Sequence, residues 1–220
     1  MRQQAAVWDR EQAESYARWM GVSARLLYAP FARQVVKLLP SGELGSTIVD
    51  LGTGPGQLSI ELCKLAPQVE VIGVDPSAEM LEVARRNASE AGVANFEARL
   101  GNAERLPIDS DAVRVVVSQW SLHEWDDPGK AFSEVLRVLE PRGIVVVKDF
   151  NRAWLSPWKR AVLGHFHPVD MFKFGFRDVA YLLSEAGFDQ IEGQETGLQF
   201  LVQGVKQGGP DRCHLGIRAR

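Results

Sequence analysis

The residues best able to do chemistry lie in one short run, Asp50-Leu51-Gly52-Thr53-Gly54-Pro55-Gly56-Gln57. Glycines in such a turn let the backbone approach a ligand closely, and the N–H groups that open a following helix favour a phosphate or carboxylate. The turn suits a nucleotide-like cofactor, although a turn of this kind is also able simply to join a strand to a helix. Asp75 follows Gly56 by nineteen positions and ends the next apolar run. A carboxylate there can accept hydrogen bonds from both hydroxyls of a ribose. The dinucleotide fingerprint G-x-G-x-x-G/A would need a small residue where Gln57 stands, so the spacing argues against a nicotinamide cofactor. His123, Asp149, His165 and His167 are the titratable residues near predicted strand ends or loops. His123 leads as a general base, with a structural role as its alternative. The pair His165 and His167 has no evident third ligand, so no metal is assigned.

The elements that position these groups alternate. Thr47–Leu51, Glu70–Val74, Phe96–Leu100, Ala112–Val117 and Gly143–Lys148 read as strands. Helices are predicted over Leu58–Leu65, Ser77–Ala91 with Ser77 as N-cap, Pro128–Leu139 and Arg177–Ala186. Strands separated by helices in this rhythm give a parallel sheet covered on both faces. Gln190–Glu195 and Leu198–Gln203 flank Thr196-Gly197, a two-residue hairpin signal, so an antiparallel pair closes the sheet. Ahead of the sheet, Trp8 to Leu39 carries apolar residues at helical spacing and reads as two or three short helices broken at Gly21 and Pro30. Three segments follow: a helical extension over residues 1–44, a main domain over 45–206, and a tail over 207–220 too poor in apolar residues to pack.

Composition narrows the partners. The chain has 220 residues, 25 basic and 28 acidic, for a net charge of −3, which leaves no global positive field for nucleic acid. Its apolar share of 45% is that of a globular protein with its own core. The cysteines, Cys63 and Cys213, match no ligand spacing, no apolar run reaches a membrane span, and the charged start is unlike a signal peptide; a cytoplasmic setting is expected.

In order along the chain stand Val49-Asp50-Leu51-Gly52-Thr53-Gly54-Pro55-Gly56, Val74-Asp75-Pro76-Ser77 with Met80-Leu81, Gly101-Asn102-Ala103-Glu104 with Leu106-Pro107, Val115 to Ser118 leading into Leu122-His123, and Leu139-Glu140-Pro141 with Gly143. Together they resemble the class I S-adenosylmethionine-dependent methyltransferases, within them the small-molecule (type 11-like) group that includes the ubiquinone and menaquinone biosynthesis methyltransferases. The resemblance covers about residues 45–150 and, more loosely, the remainder. It implies an α/β, Rossmann-like three-layer sandwich with a seven-stranded, mostly parallel sheet. It implies S-adenosyl-L-methionine as cofactor, leaving S-adenosyl-L-homocysteine, and direct in-line methyl transfer to a small, apolar or aromatic molecule.

Residue by residue, the resemblance implies that the turn Gly52, Thr53, Gly54, Gly56 and Gln57 faces the methionine moiety. Asp50 would hold the turn or reach the amino group through water, and Asp75 would bind the ribose. Pro76 and Met80 would flank the adenine, with core packing the alternative for Met80. Asn102 and Ala103 would lie beside the adenine amino group, where Asn102 replaces the usual Asp and loses its charge. Ser118 and Gln119 would lie near the methionine part. Tyr16, Trp19, Tyr28, Trp120 and Trp125 are candidates to face a sulfonium, or simply pack helices on the core. Trp154, Trp158, Phe166, Met171, Phe172, Phe174 and Phe176 would build the acceptor pocket. Ser118-Gln119-Trp120-Ser121 stands where DNA-base methyltransferases carry Asn/Asp-Pro-Pro-aromatic, which disfavours that chemistry. A nicotinamide oxidoreductase, a non-catalytic binding module and aminopropyl transfer on the same fold remain as alternatives. The acceptor and the oligomeric state stay open, and the N-terminal extension is expected to act as a lid, so that deleting residues 1–35 should weaken cofactor binding well beyond any loss of stability.

Overall fold

Buried β-branched runs set the frame. The computed structural model describes residues 11, 13–15, 24–39, 45–154 and 169–208. Strands β1 (Thr47–Leu51), β2 (Glu70–Asp75), β3 (Phe96–Leu100), β4 (Val113–Gln119), β5 (Leu139–Phe150), β6 (Phe188–Thr196) and β7 (Gln199–Lys206) form one sheet ordered β3-β2-β1-β4-β5-β7-β6. The first five run parallel, and β7 pairs antiparallel with β5 and β6. Strand order reverses between β1 and β4, so the turn after β1 opens at the crevice where ligands bind in such sheets.

Helices cover both faces. On one, α1 (Ala24–Val36) and α2 (Gln57–Leu65) bury Phe31, Val35, Leu58 and Leu62 against Ile48, Val71, Val117 and Val146. On the other, α4 (Pro128–Val138) and α5 (Phe176–Ala186) bury Phe132, Val135 and Leu183 against Val49, Val116, Val145 and Val147. The alternation Val145, Val146, Val147 sends neighbours to opposite cores, as a strand buried on both faces requires. Helix α3 (Ala78–Glu90) starts at the expected cap, where Ser77 Oγ accepts from the Met80 amide at 3.1 Å.

Three expectations are corrected. Pro30 lies inside α1 and does not end it. The carbonyl that Pro30 cannot serve belongs to Leu26, which is 82% exposed and open to water, while Phe31, Ala32 and Val35 are fully buried and hold the helix down. Strand β5 begins at Leu139, because Glu140 to Gly143 continues it as a bulge against Val113 and Val115, with Arg142 at φ 68°. The hairpin turn is Gly197-Leu198, one residue later than predicted: Thr196 pairs with Gln199, and Gly197 takes the positive φ of 56°. Gly21 and residues 209–220 of the expected tail lie outside the described residues. Among the described residues no helix is long and apolar enough to cross a membrane.

Deleting residues 1–35 would also cost stability, since Phe31 and Val35 belong to the core. Phe31→Ala is expected to cost about 3–5 kcal/mol, read from urea unfolding monitored by circular dichroism.

Candidate active site

The turn after β1 is held from three sides. The amides of Gly52 and Thr53 donate to the Val74 carbonyl at 2.8 and 3.1 Å, which ties the turn to β2. Just beyond β4, Ser121 Oγ donates to the Leu51 carbonyl at 2.8 Å and lies 2.8 Å from Ser118 Oγ. Ser121 fills the space beside Gly52 so closely that any Cβ there would collide with it. From below, the buried Asp50 accepts Thr53 Oγ1 at 2.8 Å and Ser59 Oγ at 2.7 Å on the same oxygen. Holding the turn is thus what the contacts of Asp50 do. Gly56, at φ 81°, caps α2, and Gln57 is its first residue, half-buried at the crevice.

Gly54 differs from its neighbours. It sits at φ 52°, and the space a Cβ would occupy is open, with no atom within 4 Å. Its amide donates to Asp75 Oδ2 at 2.8 Å, while Asp75 Oδ1 accepts from the Ser77 amide at 2.9 Å. Each carboxylate oxygen of Asp75 keeps a lone pair for a further donor. Burial pushes the Asp75 pKa up, and the two amides pull against it. Pro76 is exposed beside it, and Asn102 is exposed at the rim after β3, with Ala103 buried beneath. Met80 is buried against Ala13 and Val83, so its contacts are those of packing between α3 and the N-terminal segment, where Glu14 also meets Arg86 at 3.5 Å.

A second group gathers at the ends of β4 and β5. His123 Nδ1 lies 3.0 and 3.2 Å from the two oxygens of Asp149, which also accepts the Phe150 amide at 2.7 Å. Both side chains are buried, at 8% and 2% exposure. Burial draws the His123 pKa down, but the hydrogen bond and charge of Asp149, helped by Glu124, outweigh it, and the net shift is upward. Trp120 stacks on Phe150 with centroids 5.7 Å apart and meets Tyr28 edge-on at 5.3 Å. Phe172 continues the cluster to Phe150 and to Trp154, at 5.6 Å each.

Among the predicted aromatics, Trp125 belongs to the core, edge-on to Phe132 at 5.4 Å. Phe174 and Phe176 pack on the same core. Tyr16, Trp19, Trp158, His165, Phe166 and His167 lie outside the described residues. Ser118 and Gln119 are buried at the end of β4, and Gln119 Oε1 has no hydrogen-bond partner. Ser59, Ser121 and the pairing of Asp149 with His123 were not read from sequence. Strand alternation offered a signal for the last, since Asp149 shares a face with Val147 and Val145.

The geometry fits the adenosyl thioether that the motifs imply. Open space over Gly54, a carboxylate beside it with free lone pairs, and an orphaned amide oxygen at Gln119 are complementary to a sugar and an ammonium group. Residues 43–175 match the family model described as a methyltransferase domain. An arsenite methyltransferase of Halobacterium salinarum is 35% identical over 152 residues, 67% of this chain, which spans only 38% of that protein's length. A demethylmenaquinone methyltransferase of Listeria monocytogenes is 25% identical over 218 residues, 94% of this chain and 92% of that one. The structure of a SAM-dependent methyltransferase from Aquifex aeolicus superposes with a TM-score of 0.72 at 21% identity, over 90% of this chain and 99% of the other. The chain belongs to the methyltransferase-domain family and is an S-adenosylmethionine-dependent methyltransferase. The nicotinamide alternative falls with that membership.

Asp50 offers a test of the site's electrostatics. Burial pushes its pKa to about 6, opposed by the Ser59 and Thr53 hydroxyls and aided by the charge of Asp75. With the folded value above the unfolded one, the protonated acid favours folding. That stability is complete below the unfolded pKa near 4 and is lost as pH rises through about 6. Urea unfolding of the wild type relative to Asp50→Asn should show the wild type losing on the order of 3 kcal/mol between pH 3.5 and pH 7.

Proposed function

We propose that this enzyme methylates a small aromatic or apolar molecule by direct in-line displacement. The observation that carries this reading is the aromatic cluster Trp120, Phe150, Phe172 and Trp154, which adjoins the His123–Asp149 pair one strand from the glycine turn. Stacked rings of this kind suit a flat apolar acceptor. The two relatives named above point to different acceptors, and the cysteines discriminate between them. Arsenic is held by soft thiolates. Burial and the charge of Asp50 push the Cys63 thiol up to about 12, which keeps it protonated, and only one other cysteine exists. An acceptor of the hydroxylated aromatic kind fits this chain better.

When bound, S-adenosylmethionine supplies a methyl group already activated on a sulfonium. In this reading Asp75 clasps the ribose, and Gly52, Thr53, Gly54 and Gln57 present the turn to the methionine end. Gln119 accepts from the ammonium group, Ser118 braces the turn through Ser121, and Pro76 and Asn102 border the base, with Met80 and Ala103 packed beneath them. His123 removes the acceptor's proton at Nε2, and Asp149, bonded to Nδ1, fixes the ring and stabilises its charge. The N-terminal segment closes over the base edge, a role supported by the packing of Ala13 on Met80 and Val83.

Calorimetry with S-adenosylhomocysteine tests the cofactor site: Asp75→Ala should bind about ten- to a hundredfold more weakly, with an unchanged circular dichroism spectrum. Absence of heat with the wild type would reject the reading. For the base, radiolabelled methyl transfer to a panel of naphthols and catechols should rise with pH through a value above the ordinary 6.5 of histidine, because only neutral His123 accepts a proton. His123→Gln should lose that limb and about 10²–10⁴ in kcat.

A further inference from the structure

Lys148 of β5 pairs in register with Gln119 of β4. Side chains of paired residues leave a sheet on the same face, and neighbouring strands lie about 4.8 Å apart. This face lies under α1: Gln119 Nε2 donates to the Leu27 carbonyl at 3.5 Å, and Lys148 Nζ stands 5.5 Å from the centre of the Phe31 ring. Among the described residues the Lys148 ammonium has no carboxylate or carbonyl partner, and burial holds its pKa below the ordinary lysine value. Two more polar groups near the end of β4 are buried without partners, Gln119 Oε1 and the Trp120 indole N–H. Trp120 follows Gln119 directly, and its backbone amide bonds the Lys148 carbonyl at 2.9 Å.

A half-buried cation without a counter-charge costs stability, and the chain carries 28 acidic residues from which a partner was available. Groups left unpaired beside a site are expected where a ligand completes them. We propose that Lys148, with the Trp120 N–H, forms an oxyanion subsite that binds an acidic group, a carboxylate or an ionised hydroxyl, on the methyl acceptor. This rests on the methyl-transfer reading and adds the acceptor's charge to it. Trp120 also opens the aromatic cluster assigned to the acceptor, while Gln119, paired with Lys148, is assigned to the cofactor's ammonium, so S-adenosylhomocysteine and 5′-methylthioadenosine together separate the acceptor's acidic group from the cofactor's own carboxylate. Lys148 is two strands from β1 and its glycine turn, about 10 Å across the sheet, and on the side of the aromatic cluster.

The test uses the full chain saturated with S-adenosylhomocysteine, into which 2-naphthoate and its neutral isostere 2-naphthamide are titrated by calorimetry. Naphthoate should bind about tenfold more tightly than the amide. Lys148→Met should abolish the preference, and Lys148→Arg should keep most of it. S-adenosylhomocysteine and 5′-methylthioadenosine, which lacks the amino-acid end, are measured on each variant. If Lys148→Met weakens only the former, the lysine serves the cofactor's carboxylate and the proposal is overturned. It is equally overturned if the wild type shows no naphthoate preference, or if Lys148→Met retains one. A wild type that binds neither thioether fails the methyl-transfer reading instead, and the naphthoate comparison without thioether then still decides the subsite.

Discussion

The amide of Gly54 donates to the carboxylate of Asp75, and this contact couples the turn after β1 to the end of β2. Around it two carboxylates are buried within one crevice, Asp50 beneath the turn and Asp75 beside it. Each is raised by burial, and the charge of Asp75 raises Asp50 further. Two hydroxyls and two amides hold them in place. Among the described residues no cation pairs with either carboxylate, which leaves a negative crevice suited to a positively charged methyl donor.

The sheet divides the labour. β1 and β2 carry the glycine turn and Asp75, and the ends of β4 and β5 carry Trp120, Phe150, the His123–Asp149 pair and Lys148. Ser121 joins the halves by bracing Gly52 from the β4 side, so the spacing between the two regions is fixed by a close-packed contact. A side chain on Gly52 would push the halves apart, which explains why a glycine here serves packing while Gly54, two residues on, serves access.

Much of this was legible in the sequence because it is local. The strands and helices of the parallel region follow from apolar periodicity, and Ser77, Asp75 and the glycine turn follow from spacing alone. What escaped was set by tertiary context. Pro30 reads as a breaker, yet burial of Phe31 and Val35 overrides it. The bulge after Leu139 depends on the partner strand, which the local pattern Glu140-Pro141-Arg142-Gly143 does not contain. The pairing of His123 with Asp149 joins residues 26 apart, brought together only by the parallel register of β4 and β5. A lysine ending a strand is ordinarily solvated, and only the roof of α1 makes Lys148 otherwise.

Cys63 lies on α2 with its thiol turned toward the Asn95 carbonyl, 3.7 Å away, and stays protonated at neutral pH. An alkylating reagent needs a thiolate and a path to it, and the folded chain withholds both. Reaction at this sulfur must wait until α2 lifts from the sheet, so its labelling rate is a built-in clock for breathing of the α1–α2 helix layer.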